Sequence, residues 1–152
     1  MSTEIDARRL IFPGLAGLYE RGAPYAYAFM RFATGAVLVP HGIQKILYQP
    51  IGRYTEIIAG KGIPLAELFA YLTYFTESVA AICLAIGLFT RAAAVMIWIE
   101  MVVIIAVFNW QFGYFWTNKG VEYALLWLLL CTAIFFRGGG RYSVDHLLGK
   151  EI

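Results

Sequence analysis

Four long apolar stretches dominate this chain and leave few folds open to it. They cover residues 23–48, 64–89, 91–110 and 120–136. A helix needs about 20 mainly apolar residues to cross a bilayer, and none of the stretches has the strict alternation of a barrel strand. Only 14% of the residues are charged, whereas about a quarter are charged in a soluble domain. The sequence therefore predicts an all-α integral membrane four-helix bundle.

The segment before the first apolar stretch has a different character. Residues 1–22 mix apolar side chains with Arg8, Arg9 and Arg21, and Pro13 interrupts the pattern. The segment lacks the uninterrupted apolar centre and small-residue cleavage site of a signal peptide. Mixed apolar and basic residues are typical of a segment that lies on the membrane surface. We expect an interfacial segment over residues 1–22 and a membrane domain with a short cytoplasmic tail over residues 23–152.

The distribution of lysine and arginine predicts the orientation of the bundle, because cytoplasmic loops are enriched in these residues. With both termini inside, seven basic residues are cytoplasmic and four are on the outer side. This favours an N-in, C-in, multi-pass protein of a bacterial or archaeal cytoplasmic (inner) membrane. The aromatic loop over residues 109–120 is then outside, either as an interfacial belt or as a lid over a site. The inner set is Arg8, Arg9, Arg21, Arg91, Arg137, Arg141 and Lys150, and the outer set is Lys45, Arg53, Lys61 and Lys119.

Three charged residues fall in the middle and inner part of the predicted spans. Arg31, Glu100 and Glu77 lie about 12, 13 and 18 Å from the cytoplasmic ends of their helices. Charges at this depth usually face one another or a cavity, and arginine can bind a carboxylate through two hydrogen bonds. We expect a buried network in which Arg31 pairs with Glu77 or Glu100 and the second carboxyl group is protonated or hydrogen-bonded. Such a network either serves function or only specifies which helices pack.

A second polar cluster is predicted at the outer ends of the helices. His41 and Lys45 are one turn apart on the first helix, and Pro40 can kink the helix beside them. His41 and Glu122 are candidate proton-transfer groups, although His41 could equally be a satisfied packing residue. The cluster could bind a quinone or another small substrate. Its candidate binding residues are His41, Lys45, Glu67, Asn109, Trp110 and Glu122.

Other kinds of site receive little support. His41 has no second histidine nearby in sequence, so we expect no metal site and no cofactor held by a motif or a covalent bond. Cys83 and Cys131 lie in apolar stretches and are interpreted as packing residues, with a disulfide as the alternative. The net charge of +2 is too small to suggest nucleic acid as a partner.

Several motifs follow one another along residues 24–148. RFATGAVLVPHGIQKIL contains an arginine, a glycine and an HG-x-x-K turn, and KGIP begins a segment with a mid-helix glutamate and the stretch GLFTRAAA. EYALLWLLL is followed by GGGRYSVD. This ordered set resembles the DoxX family of small four-helix membrane proteins. The middle of the glycine-rich turn is often proline in that family, whereas here it is Gly139.

The resemblance implies a subunit linked to quinone redox chemistry. Some relatives look like the DoxD-type subunit of thiosulfate:quinone oxidoreductase, and others associate with oxidases or detoxifying enzymes. We therefore expect a membrane subunit of a quinone-linked respiratory, sulfur or oxidative-stress redox complex, in which a partner subunit supplies the electron carrier. Two alternatives stay open: a non-catalytic subunit that anchors or stabilises a larger complex, and a small-solute carrier. Self-association is also compatible with the sequence, and whether the chain is itself an enzyme is left open.

Overall fold

The computed structural model describes residues 5–150, and this part of the chain contains helices and turns but no strand. Two short 3-10 turns, Ala7–Arg9 and Pro13–Leu15, precede the long helix α1, Ala16–Tyr48. The prediction of an all-α protein is confirmed for the described residues. The outermost residues of the expected interfacial segment and tail, 1–4 and 151–152, lie outside them.

The remaining helices follow in the order that the apolar stretches predict, with one addition. The short helix α2, Ile51–Ala59, lies between the first two stretches. It was not predicted because nine residues are too few to register as a span. The second apolar stretch contains α3 (Ala66–Phe75), a π-helical turn (Thr76–Ala80) and α4 (Ala81–Ile86). The third contains α5 (Thr90–Val103) and a second π-helical turn (Ile104–Asn109). The last helices are α6 (Glu122–Arg137) and α7 (Val144–Leu148).

Two continuous helical stretches in the described residues are long and apolar enough to cross a membrane, Ala66–Ile86 and Thr90–Phe112. The first joins α3, a π-helical turn and α4, and the second extends α5 through the other π-helical turn. α1 is long enough, with 33 residues, but its apolar sequence is interrupted by Arg31 and Lys45. α6 has 16 residues and is therefore about 24 Å long, somewhat short for a hydrocarbon core of about 30 Å.

Neighbouring helices run in opposite directions. Gly35 of α1 packs against Ala81 and Ala85, whereas Gly42, two turns further along α1, packs against Glu77 and Ser78. Residue numbers thus rise along α1 as they fall along its partner. Two glycines at this contact let the helix backbones approach closely, which is typical of helix packing in membranes.

α5 and α6 form the second antiparallel pair. Arg91 Nη1 donates a hydrogen bond to the carbonyl oxygen of Phe135 at 2.9 Å, and Trp98 Nε1 donates to Thr132 Oγ1 at 3.1 Å. α6 also contacts α1, because Trp127 Nε1 donates to the carbonyl oxygen of Thr34 at 3.1 Å. Hydrogen bonds from the side chains of Arg91, Trp98 and Trp127 thus join helices that are distant in sequence.

Small side chains fill much of the core, and large apolar side chains cover much of the surface. Exposed residues include Phe29, Leu129 and Phe136. Such a distribution would be unfavourable in water, but it suits helices that pack against one another inside lipid. The buried small residues include Ala80, Ala81, Ala93, Ala94 and Ala124.

Candidate functional site

Arg31 lies where the chain turns from α4 to α5. Its Nη1 atom donates to the carbonyl oxygens of Leu84 and Ala85, each at 2.7 Å, and its Nη2 atom donates to the carbonyl oxygen of Tyr142 at 2.6 Å. Carbonyl groups in the last turn of a helix lack intrahelical partners, so the guanidinium group caps the end of α4. No carboxylate of the described residues forms an ion pair with Arg31.

The expected pairing of Arg31 with Glu77 or Glu100 is therefore wrong. Depth along a helix indicated that these charges share a level, but it could not indicate that the end of α4 brings free carbonyl groups to Arg31. A guanidinium group carries five donors. Here three carbonyl oxygens accept from Nη1 and Nη2, whereas the buried Nε atom has no hydrogen-bond partner in the described residues. The arginine thus serves packing at this end of the molecule.

Asp145 has the matching role at the start of α5. Its carboxylate accepts hydrogen bonds from the backbone N–H of Phe89 at 2.7 Å, from the backbone N–H of Thr90 at 2.9 Å and from Thr90 Oγ1 at 2.6 Å. The backbone N–H of Asp145 donates to the carbonyl oxygen of Gly87 at 2.9 Å. These hydrogen bonds hold the chain segment after α6 against the turn between α4 and α5.

A buried ion pair joins Lys45 of α1 to Glu77. The two side chains are only 12% and 6% exposed. Glu77 lies in the π-helical turn Thr76–Ala80, and single π-helical turns frequently occur at functional sites. The approach of α1 at this level depends on Gly42, because a Cβ atom there would lie 2.6 Å from the carbonyl oxygen of Glu77. The pair thus combines one residue of the predicted outer cluster with one of the predicted inner network.

Glu100 interacts electrostatically with Glu77 and Lys45 but is not part of their ion pair. Both of its carboxylate oxygens are buried, and neither has a partner in good hydrogen-bond geometry among the described residues, although the side chain of Thr73 is close enough to interact with them. Glu100 lines a cavity of about 210 Å³ between α2, α3 and α5. Most of the other lining residues are apolar, including Ile58, Phe69, Leu72, Met96, Ile99 and Phe108. A polar group without a partner in such surroundings is costly unless a ligand or water satisfies it.

Tyr54 of α2 links the ion pair to the cavity. Lys45 Nζ lies 5.4 Å from the centre of the Tyr54 ring, and this ring also contacts the ring of Tyr74 at 5.7 Å. Burial, together with the negative charges of Glu77 and Glu100, raises the pKa of Tyr54 to about 12. The phenol therefore keeps its proton at neutral pH and can donate a hydrogen bond.

The rim of the cavity is apolar. Phe69 and Leu72 of α3 and Ile99 of α5 are 37%, 42% and 53% exposed, and all three line the cavity. They lie on the two stretches that could span a membrane. The cavity therefore opens between these stretches, and its floor carries the carboxyl group of Glu100.

The other residues of the predicted outer cluster do not line this cavity. His41, Glu67 and Trp110 are exposed. Glu122 Oε2 accepts a hydrogen bond from the backbone N–H of Trp116 at 3.1 Å, and Asn109 Nδ2 donates to the carbonyl oxygen of Gly120 at 3.3 Å. Glu122 and Asn109 thus hold the aromatic loop. Sequence analysis missed Tyr54, because it lies on the helix that was not predicted.

The described part of the chain contains neither a cluster of potential metal ligands nor a disulfide. No three histidine, cysteine, aspartate or glutamate side chains within it are grouped to hold a metal ion. Cys83 and Cys131 are free thiols, so they are not joined in a disulfide.

The family model described as DoxX matches residues 26–110, which is more than half of the chain. The chain belongs to the DoxX family. The match runs from α1 past the end of the second π-helical turn and includes Lys45, Glu77 and Glu100. The family that the sequence motifs indicated is thus confirmed.

Two curated relatives of this DoxX protein are similar over nearly their whole length. An uncharacterized membrane protein of Mycobacterium tuberculosis is 30% identical over 152 residues, and the alignment covers 91% of each chain. An uncharacterized protein of Haemophilus influenzae is 30% identical over 144 residues, which cover 87% of this chain and 97% of the relative. No solved structure matches the chain. Together with the family, the first relative identifies the chain as a membrane protein.

Proposed function

We propose that this DoxX protein is a subunit of a quinone-linked redox complex in the cytoplasmic membrane, and that the cavity beside Glu100 receives the quinone ring. One observation carries the proposal: an apolar cavity ends at a buried carboxyl group whose oxygens form no well-aligned hydrogen bond with the described residues. A quinone is a flat apolar ring with carbonyl acceptors at its edge. A protonated carboxyl group can donate a hydrogen bond to such an acceptor.

The proposal includes a membrane arrangement of four passes. Its four members are α1, the stretch from α3 to α4, α5 with its π-helical turn, and α6, which run antiparallel to their neighbours. The excess of arginine and lysine near the termini supports cytoplasmic ends. The exposed apolar rim at Phe69, Leu72 and Ile99 would then face lipid, from which a quinone could enter without crossing water.

The side chains at the cavity indicate which role this subunit would have in the proposed complex. Glu100 and Tyr54 are hydrogen-bonding groups that can hold or exchange protons. The electron carrier would belong to a soluble or membrane-bound partner subunit. In this arrangement the DoxX protein binds and orients the quinone, and the partner exchanges electrons with it.

Quinone binding tests the proposal directly. The protein would be purified in lipid nanodiscs and titrated with a short-chain ubiquinone analogue by calorimetry. Leu72→Trp should weaken binding about tenfold or more, equivalent to about 1.4 kcal/mol, because the larger side chain fills the cavity. Ile82→Trp is the matched control, since Ile82 is exposed on the same helical stretch and does not line the cavity. A parent protein without saturable binding would contradict the proposal.

A further inference from the structure

The charged groups around the cavity are balanced only when they share one proton. Lys45 provides one positive charge, whereas Glu77 and Glu100 can provide two negative charges. The phenols of Tyr54 and Tyr74 lie near them and contribute no charge at neutral pH. Lys61, whose Nζ lies 5.7 Å from the centre of the ring of the cavity-lining Phe108, is exposed to solvent and is not part of this buried cluster. The cluster is therefore neutral when Lys45 is paired with Glu77 and Glu100 is protonated.

The structure indicates which carboxyl group carries that proton. Glu77 has a cationic partner, and the backbone of its π-helical turn is held against α1 at Gly42. Glu100 has no ion pair in the described residues, and its two buried oxygens form no well-aligned hydrogen bond there, although the side chain of Thr73 is close enough to interact with them. It lies about 15 Å from the start of the stretch Thr90–Phe112. An ionised carboxylate at such a depth would lack a counter-ion of its own, because Lys45 is already paired with Glu77.

We propose that Glu100 carries an exchangeable proton and donates it in a hydrogen bond to a carbonyl acceptor of a neutral cavity ligand. Ligand binding is thereby coupled to the protonation of Glu100. This inference rests on the proposed function and adds the chemical group that controls occupancy of the cavity. The proton is shared in a hydrogen bond and no electron moves, so the step requires no oxidant or reductant.

The ligand class follows from the donor and the lining. A neutral ring with a carbonyl group would satisfy the free carboxyl group and bury its apolar faces against Phe69, Phe108 and Ile99. An organic cation would instead require Glu100 to be ionised. The two ligand classes have opposite pH dependence, because protons favour the first and compete with the second.

The experiment measures binding of the short-chain ubiquinone analogue as a function of pH. In the parent protein, affinity should fall about tenfold per pH unit above the titration of Glu100, because one bound proton is required. Glu100→Gln should retain binding but lose the pH dependence, since its amide still donates. Glu100→Leu should bind at least about tenfold more weakly. Glu56→Gln, on the exposed side of α2, is the control and should behave like the parent.

Infrared spectroscopy tests the proton without any ligand and shows whether the variants are folded. The parent spectrum at neutral pH should contain a protonated carboxyl band that Glu100→Gln lacks, with amide bands unchanged. Its absence from the parent would overturn the inference even if no quinone binds. Binding that is independent of pH, or that strengthens as pH rises, would also overturn it but would leave the quinone proposal standing. Absence of quinone binding by the parent would refute the proposed function.

Discussion

Two buried cations of α1 illustrate how side-chain chemistry selects partners at the scale of single residues. The planar guanidinium group of Arg31 donates hydrogen bonds to three carbonyl oxygens. The ammonium group of Lys45 is a compact charge on a flexible side chain, and it pairs with the single carboxylate of Glu77. A lysine at position 31 or an arginine at position 45 would not reproduce these contacts. Asp145 adds the complementary anion at the start of α5.

Removal of Lys45 should destabilise the protein strongly. Lys45→Met would leave the buried carboxylate of Glu77 without a counter-ion and should lower the free energy of unfolding by about 3–5 kcal/mol. The double variant Lys45→Met/Glu77→Gln should recover part of this loss, because no unpaired charge is left. Unfolding in detergent would measure both effects. Arg53→Met, at an exposed position of α2, should change stability by less than about 0.5 kcal/mol, and a Lys45→Met protein as stable as the parent would contradict the assigned pair.

At the scale of elements, the cavity depends on interruptions of regular helix. The π-helical turns Thr76–Ala80 and Ile104–Asn109 each contribute cavity-lining residues, among them Thr76, Ile104 and Phe108. A π-helical turn inserts one residue and therefore rotates all later side chains about the helix axis. α2 then covers the cavity with Tyr54 and Ile58.

The contact between α1 and α4 should not tolerate a side chain at Gly35. A Cβ atom there would overlap the carbonyl oxygen of Ala81 and would lie 2.6 Å from the backbone nitrogen of Ala85. Gly35→Ala should therefore lower the free energy of unfolding by about 1–3 kcal/mol. Gly17→Ala on the same helix has open space around it and should be neutral or stabilising by up to about 1 kcal/mol. Equal melting temperatures of the two variants would refute this packing.

The surface of the whole molecule carries many large apolar side chains, whereas much of its core is built from small ones. Alanine and glycine bring the helices together, and many of the larger apolar side chains point outward. This arrangement agrees with the membrane identity of the family and its relative, because lipid removes the penalty for exposed leucine and phenylalanine. The proposed four passes place both ends of the chain on the same side.

Cysteine labelling tests this topology. In a protein whose Cys83 and Cys131 are replaced by alanine, Gly17→Cys should react with a membrane-impermeant maleimide only after the cytoplasmic side is opened. Asn118→Cys should react in intact spheroplasts, because the positive-inside rule places the loop before α6 outside. Both positions are exposed in the structure. Labelling of Asn118→Cys only from the cytoplasmic side would reverse the proposed orientation.

The sequence alone determined the helical class, the membrane environment and the family. These properties depend on local information: the length of apolar stretches, the density of charge and the order of short motifs. It also identified Glu77 and Glu100 as buried carboxyl groups, since both lie in the middle of apolar stretches.

Only the tertiary structure decided what those groups contact. The depth of a residue along one helix gives its level, but its partner depends on how neighbouring helices are rotated, and both π-helical turns change that rotation. Arg31 donates to carbonyl groups near the end of α4 and therefore does not pair with the carboxylates. Gly42 lets α1 approach closely enough for Lys45 to reach Glu77. Glu100 faces a cavity, and the described cation that interacts with it, Lys45, is already paired with Glu77 on another helix.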